Sequence, residues 1–552
     1  AHILCFGSDA GEDSGHVWAY HAITDTWISI GDDELPVAVA AFVLGGKVIL
    51  LSDREHSGTS GSILTSLDVQ DEVSFGWINY AVVSLYLLGM LAVGFYFSRK
   101  NNNTEEFFKG GGRIPWWAAG ISIFATALSA ITFLSIPAKA YAADWKMFMY
   151  NMTILMIVPV VVRCYLPFIK KLNVASVYQY LENRFSSSVR YLASAFFCIF
   201  MFARVAIVLF LPSLALNAVT GLDIYLCIVL MGVVTIVYCT MGGIEAVVWG
   251  DVIQGFLLVG GAILSFAWIV RGIDGGFGQM MTVALSEEKF HVFDFSLDIT
   301  QPVFWVAIVG GFANQILTYT SDQSVVQKYL TVKDSSSTEK GLWLNGILAV
   351  PVTFIFLGIG TGLYVFFKQH PYMLNAGMTN TDSIFPHYMM CQLPAGVAGL
   401  LIAAVFAAAM SPLASNINSS TTVMSEDFYA KLFPGCTDGQ KLRFARVAGV
   451  IVGGLGVAMA IVLATFDIAS LWDQFNFFLG LLTSGLGGLF MMGIFTDRIG
   501  TRAALTGFAG SIVVLLACSA RTAMTSTLYG FTGLLSCFVI GYLASFIYGY
   551  RR

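Results

Sequence analysis

The stretch WWAAGISIFATALSAITFLSIPAKAY, residues 116–141, is long enough to cross a bilayer, because about 20 apolar residues suffice. It has no charged residue before its last three positions, yet Ser122, Thr126, Ser129 and Thr132 recur every three or four residues. This spacing predicts four hydroxyls on one face of a helix. Inside a membrane such a face must contact protein, water or a ligand. Small polar residues also favour close helix packing, so helix packing and ligand binding both remain open from the stripe alone.

The composition indicates an integral membrane protein. The 552 residues are 57% hydrophobic and 11% charged, with a mean hydropathy of +0.75, whereas soluble domains carry about 25% charged residues. No basic stripe with interleaved aromatics is present, so we expect no nucleic-acid partner. The sequence also has no phosphate-binding glycine-rich motif, which argues against transport driven by ATP.

The apolar segments from Gly76 onwards predict an all-α polytopic protein with about thirteen membrane spans. These are residues 76–98, 115–140, 149–169, 191–217, 222–241, 247–270, 301–324, 341–367, 394–422, 446–466, 472–495, 502–520 and 527–549. Lysine and arginine cluster in alternate loops, with Lys170, Lys171, Lys328 and Lys333 among them. The positive-inside rule therefore predicts a multi-pass protein of the inner (plasma) membrane, with a cytoplasmic C-terminus and an extracytoplasmic N-terminal segment.

Residues 1–72 differ in composition from the rest of the chain. Their short apolar runs, separated by glycine and aspartate, predict β structure. The segments HVWAYHAITDTWISI (16–30) and LGGKVILLSD (44–53) resemble kelch repeats, in particular those of propellers that act as sialic acid mutarotases or epimerases. A kelch repeat takes about 50 residues, so this remnant is too short for a catalytic ring. Because the chain opens within the pattern, we expect a longer parent protein.

Two segments resemble the sodium/solute symporter family, and most closely its sodium-coupled sialic acid symporters. They are TEEFFKGGGRIPWWAAGISIFATALSAITFLSIPAKAYAADW (104–145) and GGFANQILTYTSDQSVVQKYL (310–330). The resemblance implies a transmembrane domain over residues 73–552. Its core would be two five-helix repeats of opposite topology, about residues 115–270 and 301–495, each opening with a broken helix. It also implies that sodium ions and a small anionic substrate bind near the midplane; the oligomeric state is left open.

Arg204 lies in a long apolar span, with about thirteen apolar or small residues on each side, roughly 20 Å from either interface. A side chain cannot snorkel that far, so its charge needs a carboxylate, water or an anionic ligand. The neighbouring spans offer very few acids for a structural ion pair. The resemblance implies that Arg204 binds the substrate carboxylate together with Ser129 and Thr132. Phe312 and Gln315, with Tyr319, are expected to line the same cavity, although aromatic packing also accounts for them.

A first sodium site follows from the resemblance, which implies backbone carbonyl ligands at Ala125, Leu128 and Ala408 and a hydroxyl ligand at Ser411. Independently, Ser411, Ser415, Asn418 and Ser419 share one helical face in LIAAVFAAAMSPLASNINSSTTVMSEDFY (401–429). The chain departs from the family at Pro412, where a second hydroxyl is common. Proline provides no side-chain oxygen and also frees the carbonyl one turn earlier, that of Ala408.

A second sodium site is implied at Asp251, with Ser411 and Ser415 as hydroxyl ligands, although Ala414 replaces one matching position. The alternative is that Asp251 caps the start of its helix. Taken together, Arg204 and the family resemblance imply sodium-coupled import of an anionic sugar acid, with sialic acid as the expected substrate. The alternatives are a sodium symporter for another sugar or a monocarboxylate, a membrane-anchored kelch mutarotase or epimerase, and a sensor or channel on the same scaffold.

Overall fold

The computed structural model describes residues 2–8, 14–36, 40–44, 47–56, 59–67, 75–100, 103–172, 174–374, 381–466 and 471–548. Six strands precede the helices within these ranges: β1 His2–Ser8, β2 Ser14–His21, β3 Thr26–Pro36, β4 Ala40–Leu44, β5 Lys47–His56 and β6 Thr59–Leu67. They form two antiparallel three-stranded sheets, in the orders β1-β2-β3 and β4-β5-β6. The β structure predicted for this region is therefore confirmed.

The kelch interpretation of these strands is not supported. Propeller blades are four-stranded sheets, whereas each described sheet here has three strands joined in sequence order. The two segments quoted above have the alternation and turn residues of any antiparallel hairpin. A short match of this kind therefore identified strands but not the architecture to which they belong.

The described remainder is mainly helical. The helices are α1 Trp77–Ser98, α2 Thr104–Lys109, α3 Trp116–Ala127, α4 Ala130–Ala142, α5 Met147–Val160, α6 Leu166–Leu172, α7 Gln179–Arg184, α8 Ser187–Thr220, α9 Ile224–Gly272, α10 Gly276–Ser286, α11 Phe304–Thr320, α12 Gln323–Leu330, α13 Ser335–Gln369, α14 Ile384–Gln392, α15 Val397–Val423, α16 Ala430–Leu432, α17 Asp438–Leu463, α18 Leu471–Phe495, α19 Thr501–Arg521 and α20 Tyr529–Tyr548. π-helical turns at Val161–Tyr165 and Met424–Tyr429 continue α5 into α6 and α15 into α16.

The membrane-spanning segments are fewer than the sequence predicts when each is counted as one continuous helix. Among the described residues, nine are long and apolar enough to cross a membrane, or ten if the bent pair α3 and α4 is one span. One reason is that the predicted spans 222–241 and 247–270 correspond to the two parts of α9, which together count as one 49-residue helix. Another is that the predicted span 301–324 ends early, because α11 has 17 residues.

A kink at Gly243 divides α9. Its backbone has φ 55° and ψ −156°, a combination that is essentially restricted to glycine. A Cβ at this position would lie 2.8 Å from both the carbonyl oxygen and a ring carbon of Phe107. Hydropathy detects the two apolar runs on either side of this kink, but it does not detect that the two helical parts are separated only by the non-helical Gly243.

The stretch quoted at the start, residues 116–141, folds as a broken helix. α3 and α4 are bent by 60° at Leu128, whose φ of −88° and ψ of 84° are not helical. Ser129 then caps α4, with its hydroxyl accepting a hydrogen bond from the Thr132 amide. Because the last carbonyls of a helix have no partner within it, the break leaves carbonyl oxygens at the end of α3 available to a ligand.

A second break separates α11 from α12. Asp322 caps α12, and its side chain accepts a hydrogen bond from the Ser324 amide at 2.8 Å. The two quoted segments of the sequence thus both contain an interrupted helix with a polar cap at the start of the second half.

Candidate functional site

A cavity of about 160 Å³ lies beside the break between α3 and α4. This is far more than the ~10–15 Å³ that one water molecule needs. Its wall is built from α3, α4, α5, α8, α11, α13 and α18, and its polar side includes Ser129, Thr132, Asn151, Arg204, Gln315 and Asn345. The structure therefore brings the predicted residues Ser129, Thr132, Arg204 and Gln315 to one cavity, although their helices are far apart in the sequence.

Ser129 and Thr132 lie together at the start of α4. Their hydroxyl oxygens are 3.4 Å apart, and both residues are partly exposed in the cavity wall. The N-terminus of α4 contributes its unpaired amides and the positive end of its dipole at the same place. This end of the cavity is suited to an anionic group.

Arg204 is 8% exposed and has a carboxylate partner that the sequence analysis missed. Its Nη1 donates to Oδ2 of Asp322 at 2.8 Å. The other oxygen of Asp322 accepts hydrogen bonds from the amide and the hydroxyl of Ser324. The structural ion pair, which was the alternative explanation for Arg204, is therefore present, and its carboxylate lies 118 residues further along the chain. The only sequence signal was an acid directly after α11, in the segment that resembles the family.

Three buried polar atoms of the cavity wall have no hydrogen-bond partner in the described part of the chain. They are Nε of Arg204, Nδ2 of Asn151 and Oδ1 of Asn345. A buried polar group without a partner costs about 1–3 kcal/mol, so such groups are rare unless water or a ligand meets them. Two donors and one acceptor around one cavity are suited to a polar, anionic ligand that carries hydroxyl or amide groups.

Of the aromatic and amide residues predicted on α11, Gln315 and Tyr319 line the cavity and Phe312 does not. Phe312 lies about one helical turn before Gln315 and packs, partly buried, against an apolar cluster. Tyr319 accepts a hydrogen bond on its hydroxyl from Nδ2 of Asn345 at 2.8 Å. Packing, the alternative explanation for the aromatic residues, therefore accounts for Phe312.

The predicted first sodium site falls where α3 and α15 approach each other. Leu128 lies in the break and lines the cavity, and Ala125, Ala408 and Ser411 are all buried. α15 remains helical through Pro412. Because proline has no amide hydrogen, the carbonyl of Ala408 loses its helical donor. Pro412 thus leaves the carbonyl of Ala408 free for a ligand, but it does not provide the hydroxyl that the family commonly has at this position.

Asp251 belongs to a buried polar cluster rather than to a helix end, so the capping alternative is excluded. It lies within α9 and is fully buried. Its Oδ1 accepts from the Ser411 hydroxyl at 2.6 Å, and its Oδ2 accepts from the Ser122 hydroxyl at 2.5 Å. Ser415 is connected to Asp251 through Thr126: the hydroxyl oxygens of Ser415 and Thr126 are 3.1 Å apart, and the Thr126 hydroxyl is 3.4 Å from Oδ2 of Asp251.

Lys328 completes this cluster. The sequence predicts that it lies in a loop, but in the structure it is fully buried, and its Nζ lies 2.7 Å from Oδ2 of Asp251. Nothing in the local sequence distinguished it from the loop cations, because its partner is 77 residues away and on another helix.

Residues 107–510 match the model of the sodium:solute symporter family. The chain belongs to this family. Two relatives are each 40% identical: a sodium/sialic acid symporter of Aliivibrio fischeri, with 86% of this chain and 94% of that protein covered, and a sodium/sialic acid symporter of Proteus mirabilis, with 85% and 94% covered. The residues matched by the family model, 107–510, include both broken helices and the residues that line the cavity.

A solved structure of a Na+-coupled sialic acid symporter, in a substrate-bound outward-open state, is 38% identical to this symporter. Its TM-score is 0.82, and the match covers 87% of this chain and 99% of that one. A nucleobase-cation-symport-1 family transporter, Mhp1, shares the fold alone, with a TM-score of 0.53 at 15% identity over 80% of this chain and 93% of that one. The chain is thus a multi-pass membrane transporter coupled to sodium, and not an enzyme.

Proposed function

We propose that this symporter uses an inward sodium gradient to import sialic acid (N-acetylneuraminate) by alternating access. The observation that carries the proposal is Arg204, a buried cation in the cavity wall whose Nε has no hydrogen-bond partner among the residues that the structure describes. A planar guanidinium can bind a carboxylate in bidentate fashion. The two relatives at 40% identity, both sodium/sialic acid symporters, support this choice among carboxylates.

Substrate binding would exploit the ion pair between Arg204 and Asp322. The substrate carboxylate would accept hydrogen bonds from Arg204, Ser129 and Thr132, in competition with Asp322. Asn151, Gln315 and Asn345 have the donors and acceptors to bind the hydroxyl and acetamido groups of the sugar. Since Asp322 caps α12, a substrate that shares Arg204 with it would reach the second broken helix as well as the first.

Sodium would bind at the end of α3, through the carbonyls of Ala125, Leu128 and Ala408 and the hydroxyl of Ser411. The hydroxyl hydrogen of Ser411 is directed to Asp251, which leaves its oxygen lone pairs for a cation. An ion at this position would fix the geometry of the break and hence the position of Ser129. Thermodynamic linkage then requires the substrate to increase the affinity for sodium as much as sodium increases the affinity for the substrate.

We also propose that the protein has thirteen membrane spans. A helix of 49 residues is about 74 Å long, more than twice the ~30 Å hydrocarbon core, so α9 would cross the membrane twice with its kink at Gly243. With α11 and α18 as further spans, the total becomes thirteen. The core would then be two inverted five-helix repeats over about residues 115–270 and 301–495, within a transmembrane domain of residues 73–552. The loop cations favour a cytoplasmic C-terminus and an extracytoplasmic N-terminal segment in the inner membrane.

A monocarboxylate is the second candidate substrate. The human sodium-coupled monocarboxylate transporter 2 is 27% identical over 80% of this chain and 72% of its own length, and Arg204 would recognise any carboxylate. The cavity wall has several polar groups besides Arg204, and these could bind the hydroxyl and acetamido groups of a sugar acid, which favours the sugar acid.

Calorimetric titration of the purified protein tests the substrate class. In sodium buffer we expect N-acetylneuraminate to bind, and its methyl ester, which keeps the sugar but lacks the negative charge, to bind at least ~100-fold more weakly, or about 2.7 kcal/mol. Replacing sodium with potassium should weaken binding of the acid. Lactate binding in place of N-acetylneuraminate would favour the monocarboxylate, and equal binding of acid and ester would contradict the role of Arg204.

A further inference from the structure

Lys328 uses all of its hydrogen-bonding capacity in the cluster around Asp251. An ammonium group has three donors, and Nζ contacts three oxygens: Oδ2 of Asp251 at 2.7 Å, the carbonyl of Ser122 at 3.0 Å, and the hydroxyl of Thr126. All four residues are fully buried. The ammonium charge of Lys328 is thus held at a fixed position by three oxygen atoms.

The oxygens around this ammonium are those that a hard cation takes. A carboxylate, a backbone carbonyl and a hydroxyl surround Nζ, and the hydroxyls of Ser411 and Ser415 lie on the far sides of Asp251 and Thr126. This is also the group of residues that the sequence predicts for a second sodium. The donor set therefore fits a cation, but the amino group of Lys328 already occupies the position beside Asp251.

We propose that Lys328 is a built-in cation that replaces a second sodium ion at Asp251, so that this symporter binds one sodium per protein. A sodium ion beside Asp251 would lie a few ångströms from a buried ammonium, where like charges repel strongly because little water screens them. Oδ1 is also engaged by the Ser411 hydroxyl. The site predicted from Asp251, Ser411 and Ser415 thus does not fit a sodium ion while Lys328 is in place.

The fixed cation also links three parts of the mechanism. Lys328 is in α12, Ser122 and Thr126 are in α3, and Asp251 is in α9. Thr126 directly follows Ala125, a proposed ligand of the first sodium, and Ser411 is shared between Asp251 and that site. The lysine therefore holds the second half of one broken helix against the first half of the other.

A consequence concerns the charge moved in each cycle, and it rests on the proposed function. One sodium and one monovalent sugar acid carry no net charge, whereas two sodium ions would carry one positive charge. We therefore expect the initial rate of N-acetylneuraminate uptake into proteoliposomes to be unaffected by an inside-negative potassium diffusion potential. A several-fold stimulation would overturn the proposal.

Equilibrium binding of radiolabelled sodium to the purified protein, without substrate, tests the lysine directly. We expect one sodium per wild-type protein, two for Lys328→Met, and one for the double variant Lys328→Met/Asp251→Asn. The double variant removes both charges with little change of shape and so controls for misfolding caused by the unpaired Asp251. Two sodium ions on the wild type, or no gain in Lys328→Met when the double variant is folded, would overturn the proposal.

The outcomes separate this inference from the proposed function. If the wild type binds no sodium, the sodium coupling proposed above fails at its first site. The gain of one ion in Lys328→Met would still support the role of the lysine, and the lack of any gain would refute it.

Discussion

At the residue scale, the site depends on two buried cations with different partners. Arg204 faces the cavity and shares its charge with Asp322, which is 8% exposed. Lys328 faces the interior of the helix cluster and is fully paired. A guanidinium with a free nitrogen can accept a ligand, whereas an ammonium with three acceptors cannot. We therefore assign substrate recognition to Arg204 and a fixed internal charge to Lys328.

Arg204→Ala should abolish substrate binding and leave sodium binding intact. The loss of a charged hydrogen-bonding partner predicts an affinity for N-acetylneuraminate lower by at least ~100-fold, or about 2.7 kcal/mol. Calorimetric titration measures the affinity, and the sodium-dependent rise in Tm of the substrate-free protein should persist.

A control is needed because Arg204→Ala leaves Asp322 buried without its counter-ion, a change that costs about 3–5 kcal/mol of stability. The double variant Arg204→Gln/Asp322→Asn removes both charges with similar volumes. It should fold, respond to sodium and still fail to bind substrate. Wild-type uptake by either variant would contradict the claim that Arg204 binds the substrate carboxylate.

Sequence alone could identify Arg204 because one charge in a long apolar run has few explanations. It could not identify Asp322 or Lys328 as members of the site. Asp322 lies at the end of the predicted span 301–324, and Lys328 follows six residues later, in what the sequence predicts to be a loop. Both became part of the site through contacts 118 and 77 residues away in the chain, and such contacts leave no trace in local periodicity.

At the element scale, the broken helix α3–α4 and the continuous helix α15 perform complementary roles. The break exposes carbonyls at the end of α3, and Pro412 frees another carbonyl within α15 without ending the helix. The hydroxyl stripe of the opening sequence predicted a polar face, and the structure divides that stripe. Ser122 and Thr126 meet the Asp251 cluster, whereas Ser129 and Thr132 meet the cavity. Spacing alone could not place the break between them.

Pro412→Ser tests the proposed sodium site. Serine would add the hydroxyl that the family commonly has, and we expect sodium to bind several-fold more tightly, a change of about 1 kcal/mol. A sodium titration followed by thermal stability measures the effect. Serine would also restore a helical donor to the Ala408 carbonyl, so weaker binding would mean that this free carbonyl contributes more than the added hydroxyl.

Gly243→Ala should destabilise the protein because the kink of α9 requires glycine. A methyl group would lie 2.8 Å from the Phe107 backbone, and the backbone there costs an L-residue about 1–3 kcal/mol. Gly260→Ala in the same helix is the matched control, since a Cβ at Gly260 would have no atom of the described residues within 4 Å. We expect a clear fall in Tm for Gly243→Ala and no fall for Gly260→Ala. Equal stability of the two variants would show that the kink is not required.

At the scale of the whole molecule, hydropathy was sufficient to predict a membrane protein but not to predict how its helices are divided into spans. It identified the apolar segments that form the long helices, whereas the kink in α9 and the interruption after α11 changed how many count as separate spans. β structure before residue 72 was correctly predicted, but its grouping into two three-stranded sheets was not. Alternation specifies which residues form strands and leaves open which strands pair.

Uptake of labelled N-acetylneuraminate into proteoliposomes tests whether sodium drives the entry of an anionic sugar acid. With sodium outside only, we predict accumulation above the external concentration. With equal sodium on both sides, or with potassium in its place, the internal concentration should not exceed the external one. Accumulation that is independent of the sodium gradient, or the absence of uptake by protein that still binds both ligands, would contradict the account.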